Sequence, residues 1–295
     1  MVTEEVNYGA DVAARSLSVY LEIMTVLGAY RHSLVLVGGW APYFILEQFG
    51  REQDDFQHVG SGDVDIAIDH RAVSPDQYSS IVGRLERHGY RERLDKEGRA
   101  IPFSFERTVP SEDGRGTIVH VDFLAGEYEG SAGSHRHQRV QDDLLARKAR
   151  GCDVVFDRYF EHELRGVLPD GAENTVQVRI ADVVGCLTTK GITLGERYHD
   201  KDAYDIYSVI KHVRGGPAGA AQAVRPHLGR SLVREGVDTI AERFQTIRST
   251  GPQGVGRFLA SDSAEMARIL ADAFITIREF IELVSKSSPP GCGPT

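Results

Sequence analysis

Residues 63–69, with the sequence DVDIAID, constrain the fold of this chain most strongly because acidic and apolar side chains alternate along them. Successive side chains of a β-strand point to opposite faces, so the segment predicts a strand with one acidic face and one buried face. The alternation recurs in residues 117–124, TIVHVDFL, where Asp122 lies between Val121 and Phe123. A carboxylate in such a strand is costly to bury unless something positive neutralises it. These segments therefore predict a sheet that carries acids.

A buried strand followed by a helix is predicted upstream of these acids. Residues 34–37 (LVLV) form a continuous apolar run that ends at Gly38 and Gly39. The segment WAPYFILEQFG that follows is typical of a helix, with Pro42 tolerated in its first turn and Gly50 at its end. We interpret residues 51–62 as a loop.

Hydrophobic periodicity divides the rest of the chain into a mixed part and a helical part. Further strands are predicted at 102–109, 117–124 and 176–180, and a loop with a short basic segment at 126–151. Helices are predicted at 14–30, 75–88 with Ser74 as its cap, 181–196, 201–213, 218–229, 231–248 and 263–286. We therefore expect an α+β fold, in which a core domain (1–175) with a mixed sheet flanked by helices precedes a helical domain (176–287). Residues 288–295 are expected to be a disordered tail.

Composition excludes several classes of protein. The 295 residues carry 34 basic and 43 acidic side chains, a net charge of −9 that repels polyanions except at a local basic patch. No apolar run approaches the roughly 20 residues that span a bilayer, and the acidic N-terminus lacks the basic region of a signal peptide. Cys152, Cys186 and Cys292 form no CxxC pair. We expect a cytoplasmic protein with plain thiols and no membrane partner.

The acids themselves indicate a metal site. Asp63 and Asp65 are two residues apart on one strand, so both carboxylates share a face and repel each other, which a divalent cation relieves. Alone, the pair is also typical of an exposed strand end. With Asp122 on a neighbouring strand, three acids could hold the two Mg²⁺ ions of phosphoryl transfer. Gly38 and Gly39 before a helix could admit a phosphate to bare backbone, although any tight turn favours glycine.

Together, VGGWA, DVDIAID and VHVDFL resemble the minimal core of the polymerase-β-like nucleotidyltransferases. Further along, KGITLGERYHDKDAYDIY resembles the second half of the AbiEii/AbiGii toxin family, which includes the MenT toxins; its matching residues are Lys190, Arg197, Lys201, Asp202 and Asp205. The resemblance covers residues 34–212. It implies transfer of a nucleoside monophosphate from an NTP to an acceptor hydroxyl by the toxin of a toxin–antitoxin system, with tRNA 3′ ends as acceptors and a cognate antitoxin as partner.

The same resemblance assigns roles to individual residues. Gly38, Gly39, Ser61 and Lys190 would meet the triphosphate, so we expect Lys190 to have a phosphate rather than a structural partner. Asp205 could orient Lys190 or take a proton from the attacking hydroxyl, and both roles stay open. Lys201 with Asp205 is interpreted as a surface i,i+4 pair. In some family members a kinase-like antitoxin phosphorylates the position of Ser61, which could alternatively be a simple strand-entry turn.

The sequence departs from the family pattern at two places, and it also contains one basic segment. Residues 40–62 are longer than the family's usual interval, and Val59 stands where relatives often carry an arginine. The only dense basic run is a candidate RNA contact or a solvated face: Arg136, Arg139, Arg147, Lys148 and Arg150. His135 and His137 beside it are interpreted as part of a solvated loop rather than as metal ligands.

Two other functions remain open at this stage. Aminoglycoside nucleotidyltransferases also have GGWA and Asp-x-Asp, and an acidic protein suits a cationic antibiotic. The chain could also be a catalytically silent nucleotide-binding or interaction module that kept the fold. The segment from Lys190 to Asp205 favours the toxin family, and retention of every acid favours an enzyme.

Overall fold

The computed structural model describes residues 10–52, 55–73, 80–110, 116–127 and 136–286. Its helices are α1 (Ala10–Val26), α2 (Trp40–Phe49), α3 (Ile81–Arg87), α4 (Cys152–Val155), α5 (Val183–Glu196), α6 (Asp200–His212), α7 (Gly216–Val224), α8 (Ser231–Arg243), α9 (Thr250–Leu259) and α10 (Ser263–Ser285). Its strands are β1 (Leu34–Leu36), β2 (Val64–Ile68), β3 (Arg91–Leu94), β4 (Ala100–Val109), β5 (Thr117–Ala125), β6 (His137–Arg139), β7 (Leu145–Lys148), β8 (Tyr159–Val167) and β9 (Glu173–Ala181).

All of these strands belong to one mixed sheet. Seven of them run in the order β3-β4-β5-β2-β1-β9-β8, and β7 pairs with both β5 and β6. The pairs β2–β5, β1–β9 and β5–β7 are parallel, whereas β1–β2, β3–β4, β4–β5, β6–β7 and β8–β9 are antiparallel. With helices flanking this sheet and following it, the predicted α+β fold is confirmed.

The core lies on both sides of the central strands. Every residue of β1 is buried, as the continuous apolar run predicts for a strand covered on both faces. Helix α1 packs across β5, β2, β9 and β8. The strand β1 leads through Gly38 and Gly39 into α2, and Gly50 follows the last residue of that helix. Strand β9 leads through the single residue Asp182 into α5, whose Gly185 N–H donates to the Asp182 carboxylate at 2.9 Å.

The helical part packs directly on this core. Helix α5 crosses α8 where two glycines meet, because a Cβ at Gly191 would lie 2.9 Å from the Cα of Gly236. Helix α6 contacts α5, α2 and α9, and α10 covers α7 and α9. Asp262 caps α10 by accepting from the N–H groups of Ala264 and Glu265. Within the described ranges, no helix is long and apolar enough to cross a membrane.

Several predicted boundaries differ from the structure. Residue 175, placed as the domain boundary, lies inside β9, so the sheet extends to Ala181. The expected loop at 126–151 contains β6 and β7, and β8 was missed because its charged residues lie on an exposed edge strand. The helix predicted at 231–248 ends at Arg243, and α9 is separate from it. Ser74, His135, Cys292 and the predicted tail at 288–295 lie outside the described residues.

Candidate active site

A row of polar side chains crosses three neighbouring strands. Asp65 of β2 is the register partner of Asp122 of β5, and Asp122 is the register partner of Ser104 of β4. The Ser104 hydroxyl donates to Oδ1 of Asp122 at 2.5 Å. Asp63 lies one step further along the same face, more exposed, with its Oδ1 3.3 Å from Nδ1 of His120. The alternation in the sequence therefore places all three predicted acids on one face.

Asp65 is the acid most strongly affected by its surroundings. Burial, followed by repulsion from Asp122, raises the pKa of this carboxyl group to about 6. Its side chain packs against the turn before α2, because a Cβ at Gly38 would lie only 2.7 Å from Cγ of Asp65. Gly38 also has a φ of 65°, which favours glycine. The glycine is therefore required both by the backbone and by the acid beside it.

These carboxylates are the groups that could hold a metal. Among the described residues, no set of three or more His, Cys, Asp or Glu side chains converges as a metal ion would need. The pair Asp65 and Asp122 nevertheless has the chemistry of a divalent-cation site, since each offers carboxylate oxygens and their ionised forms repel each other. Asp63 is the third candidate ligand and contacts His120 instead.

A cavity opens beside Asp65, between the sheet and α5. It brings the predicted glycine turn, one predicted metal ligand and the predicted phosphate-binding lysine to one place. Its described lining residues are Val37, Gly38, Asp65, Leu124, Arg147, Lys148, Ala149, Arg150, Cys152, Thr189, Lys190, Thr193, Glu196, Arg197 and Asp202. Cys152 in this lining and Cys186 in α5 are buried free thiols, and burial raises the pKa of each to about 12.

Lys190 has structural partners, contrary to the expectation that it would have none. Its Nζ lies 2.8 Å from Oδ1 of Asp202 and 2.6 Å from Oδ2 of Asp205. Burial alone would lower the pKa of Lys190, but the two carboxylates raise it above its usual value, so the ammonium stays charged. Arg197 is a second cation beside Asp202, and its Nε lies 3.3 Å from Oδ2 of that aspartate.

The interpretation of Lys201 as a surface residue is wrong. The side chain is 4% exposed, and its Nζ lies 2.7 Å from Oδ1 of Asp205. Burial, with the nearby charge of Lys190, lowers the pKa of Lys201. The turn before α2 covers it, because a Cβ at Gly39 would lie 3.3 Å from the lysine Nζ. Helical spacing correctly predicted the ion pair but could not reveal what covers it.

Asp205 holds this cluster together. It is fully buried, and the ammonium groups of Lys190 and Lys201 outweigh burial and keep the pKa of the carboxyl group well below its usual range. A carboxylate that holds protons so weakly is poorly suited to take one from a hydroxyl group. Of the two roles left open for Asp205, the geometry favours orienting Lys190.

His58 is a further member of the cluster that sequence reasoning missed. Its Nε2 lies 2.9 Å from Oδ1 of Asp205, and its Nδ1 accepts a hydrogen bond from the Gly60 N–H at 3.1 Å. These contacts define the neutral tautomer with the proton on Nε2. Burial lowers the pKa of His58 to about 4. Nothing in the polar loop sequence distinguishes this histidine from a solvated one.

Ser61 lies beneath the glycine turn rather than in the cavity. Only 8% of the residue is exposed, and a Cβ at Gly39 would lie 2.8 Å from its Oγ. Neither Gly39 nor Ser61 is among the described lining residues, whereas Gly38 is. A kinase could not reach the Ser61 hydroxyl in this conformation, so its modification would require the loop to open.

The predicted basic run is divided between two places. Arg147, Lys148 and Arg150 line the cavity, and Arg150 forms an ion pair with Glu235 of α8 at 2.5 Å. Arg136 and Arg139 lie outside the cavity lining, where the exposed Arg139 is 3.5 Å from Asp142. The pairing of β6 with β7 keeps the two groups next to each other, and the Lys148 N–H donates to the Arg136 carbonyl at 2.9 Å.

Comparisons of the chain with family models, curated proteins and solved structures found no match.

Proposed function

We propose that this chain is a Mg²⁺-dependent nucleotidyltransferase that transfers a nucleoside monophosphate from an NTP to an acceptor hydroxyl and releases pyrophosphate. The observation that carries the proposal is the meeting of Gly38, Asp65 and Lys190 in one cavity. Asp65 stands beside Asp122 in register, so acids suited to a divalent cation lie next to groups suited to phosphate. This arrangement favours phosphoryl-transfer chemistry over a purely structural sheet face.

The acids fit a divalent cation on their chemistry. Asp65, Asp122 and Asp63 would hold Mg²⁺, which supplies charge neutralisation at the phosphates and a lowered pKa for the attacking hydroxyl. Burial and Asp122 both oppose ionisation of Asp65, and this penalty is what a bound cation would relieve. Ser104 positions Asp122 by donating to it.

The remaining residues of the site bind the substrate or orient the groups that bind it. Lys190 remains charged because of Asp202 and Asp205, and its place in the cavity suits contact with the transferred phosphates. Gly38 lets the chain backbone approach substrate without a side chain in the way. Asp205 is a positioning residue that acts through Lys190 and Lys201, and His58 fixes Asp205 in turn.

We further propose that the acceptor is RNA, specifically tRNA 3′ ends, and that the protein is the toxin of a toxin–antitoxin pair in the cytoplasm. The support is the resemblance of residues 34–212 to the AbiEii/AbiGii family, together with the cationic cavity rim in a chain of net charge −9. Arg136 and Arg139, beside the strand that forms this rim, offer a path for an RNA backbone.

A labelling assay tests the function directly. The purified chain is incubated with Mg²⁺, each α-labelled NTP in turn, and total RNA, with Asp65→Asn as the matched control. We expect label in the tRNA fraction for the unchanged chain and none for the variant. Parallel reactions contain kanamycin or tobramycin: labelled antibiotic with unlabelled RNA would make the protein an aminoglycoside nucleotidyltransferase. Nucleotide binding without transfer to either acceptor would identify a silent binding module.

A further inference from the structure

Arg147 is placed beside the metal-binding acids by strand pairing. It lies on β7, and its register partner on β5 is Leu124, two residues beyond Asp122. The arginine lines the cavity together with Asp65, Gly38 and Lys190. Its positive charge acts to lower the pKa of Asp65, in opposition to burial and to Asp122. Arg147 and Lys190 therefore line the same space, which a substrate of the proposed reaction would fill.

Three other cations that line this cavity already form ion pairs with carboxylates. Lys190 contacts Asp202 and Asp205, Arg197 contacts Asp202, and Arg150 contacts Glu235. These cations would have to share their charge between a carboxylate and a ligand. Their contacts also explain why they are present without invoking a substrate.

Arg147 differs from these cations. In the described part of the chain, none of its nitrogen atoms lies within 4.0 Å of a carboxylate oxygen, and its buried Nε has no hydrogen-bond partner. The guanidinium stacks 5.6 Å from the ring centre of Phe103, which restricts its position without using its donors. A partly buried donor left unpaired is costly, so the side chain is set up for an anion that enters the cavity.

We propose that Arg147 binds the phosphates of the substrate triphosphate in the cavity that it shares with Lys190. The identity of the anion rests on the proposed function, whereas the anion site itself rests on the geometry of Arg147. A guanidinium offers donors in a planar fork that matches two phosphate oxygens, which a lysine ammonium cannot reproduce. The residue thus belongs to the nucleotide site rather than to an RNA-binding surface.

Binding measurements with inorganic tripolyphosphate and with each NTP test this assignment. Arg147→Gln is compared with the unchanged chain, with Arg147→Lys, and with Arg165→Gln as a control at an exposed arginine of β8. We expect Arg147→Gln to weaken tripolyphosphate and NTP binding alike, by about 10- to 100-fold. Arg147→Lys should recover part of this loss, and Arg165→Gln should bind as the unchanged chain does. Thermal melts verify that each variant is folded.

The outcomes separate this proposal from the proposed function. Equal tripolyphosphate affinity in Arg147→Gln and the unchanged chain would overturn the role of Arg147 and leave the transferase assignment intact. Tripolyphosphate binding that depends on Arg147, in a chain that transfers no nucleotide to any acceptor, would uphold the anion site and reject the transferase. An unchanged chain that binds neither tripolyphosphate nor NTP overturns both. Should Arg147→Gln fail to fold, Arg147→Lys decides: affinity equal to that of the unchanged chain contradicts recognition by the planar fork.

Discussion

The carboxylate of Asp65 fills the space in which a side chain at Gly38 would begin, since a Cβ there would lie 2.7 Å from the acid's Cγ. This contact ties the turn before α2 to the strand that carries the acids. Gly38 and Asp65, which are 27 positions apart in the sequence, therefore belong to one structural unit. Disturbing either partner should change both the stability and the chemistry of the site.

Gly38→Ala is expected to abolish transfer and to destabilise the fold. A residue other than glycine at a φ of 65° costs about 1–2 kcal/mol, and the new methyl group would displace the Asp65 carboxylate. Gly28→Ala is the matched control, because no atom lies within 4 Å of its added Cβ. Urea unfolding and labelling assays on both variants provide the measurement. Full activity in Gly38→Ala would show that the contact with Asp65 is dispensable.

Asp65→Asn should remove transfer without loss of stability. The ionised carboxylate is disfavoured by burial and by Asp122, and a neutral amide of the same shape removes that repulsion. We expect a melting temperature in EDTA at pH 7 at or above that of the unchanged chain. Asp142→Asn, at an exposed acid, should leave both properties unchanged. A strongly lowered melting temperature in Asp65→Asn would instead assign the carboxylate a structural role.

Lys190→Met should lower activity and also destabilise the fold by about 3 kcal/mol, because it leaves the buried carboxylates of Asp202 and Asp205 each with one cation fewer. Adding Asp202→Asn should restore part of the stability and none of the activity. Lys211→Met on α6 is the control. Its ion pair with Asp272 is partly exposed, so we expect the free energy of unfolding to fall by at most about 1 kcal/mol. Additive free energies of unfolding in the double variant would contradict the coupling between Lys190 and Asp202.

His58 should make the fold acid-sensitive. Its pKa is about 4 in the folded chain and 6.5 ordinarily, so between these values the unfolded chain binds a proton there and the folded chain does not. The contribution of His58 to the free energy of unfolding is complete above pH 6.5. It falls by about 1.4 kcal/mol per pH unit as the pH decreases through this window.

The measurement for His58 is the pH dependence of urea unfolding. His58→Gln should flatten the slope between pH 6.5 and 4, whatever its effect on stability at pH 7. His88→Gln, at an exposed histidine at the end of α3, should leave the slope as it is. An unchanged slope in His58→Gln would mean that burial does not hold this histidine neutral.

Arg136→Ala combined with Arg139→Ala should weaken RNA labelling and reduce its dependence on salt. Each phosphate contact on single-stranded RNA contributes about 0.7 log units of affinity per log unit of salt, so two contacts would contribute about twice that. NTP affinity should remain unchanged, because neither residue lines the cavity. Arg165→Ala with Arg278→Ala, on β8 and α10, is the control. A salt slope equal to that of the unchanged chain would remove β6 from the RNA path.

The strands and helices with strong periodicity were predictable from the sequence. The alternation in residues 63–69 and 117–124 correctly predicted β2 and β5, and helical periodicity correctly predicted α10, which was expected at 263–286. The short strands β6 and β7 were not predictable, because β7 owes its place to pairing with β5 rather than to its own pattern. The shared face of Asp63 and Asp65 followed from alternation, whereas the place of Asp122 beside Asp65 depends on the register between β2 and β5.

The charge network of the site was only partly predictable. The sequence singled out Lys190 and Asp205 through a family resemblance, but the burial of Lys201 depends on Gly39, which is 162 positions away in the chain. His58 joins the cluster through a contact with Asp205, which is 147 positions away. Contacts between residues so far apart leave no local pattern, so spacing along one helix could not reveal them.

The single residue between β9 and α5 has a mechanical consequence. Asp182 is fixed by the Gly185 N–H at 2.9 Å and by Arg158 at 2.5 Å, so the helix that carries Lys190 is joined rigidly to a strand beside β1. No flexible hinge exists at this junction about which the helical part could swing open. At the rim of the cavity the side chain of Arg197 is 59% exposed, so its rotation can widen the entrance without movement of α5 relative to β9.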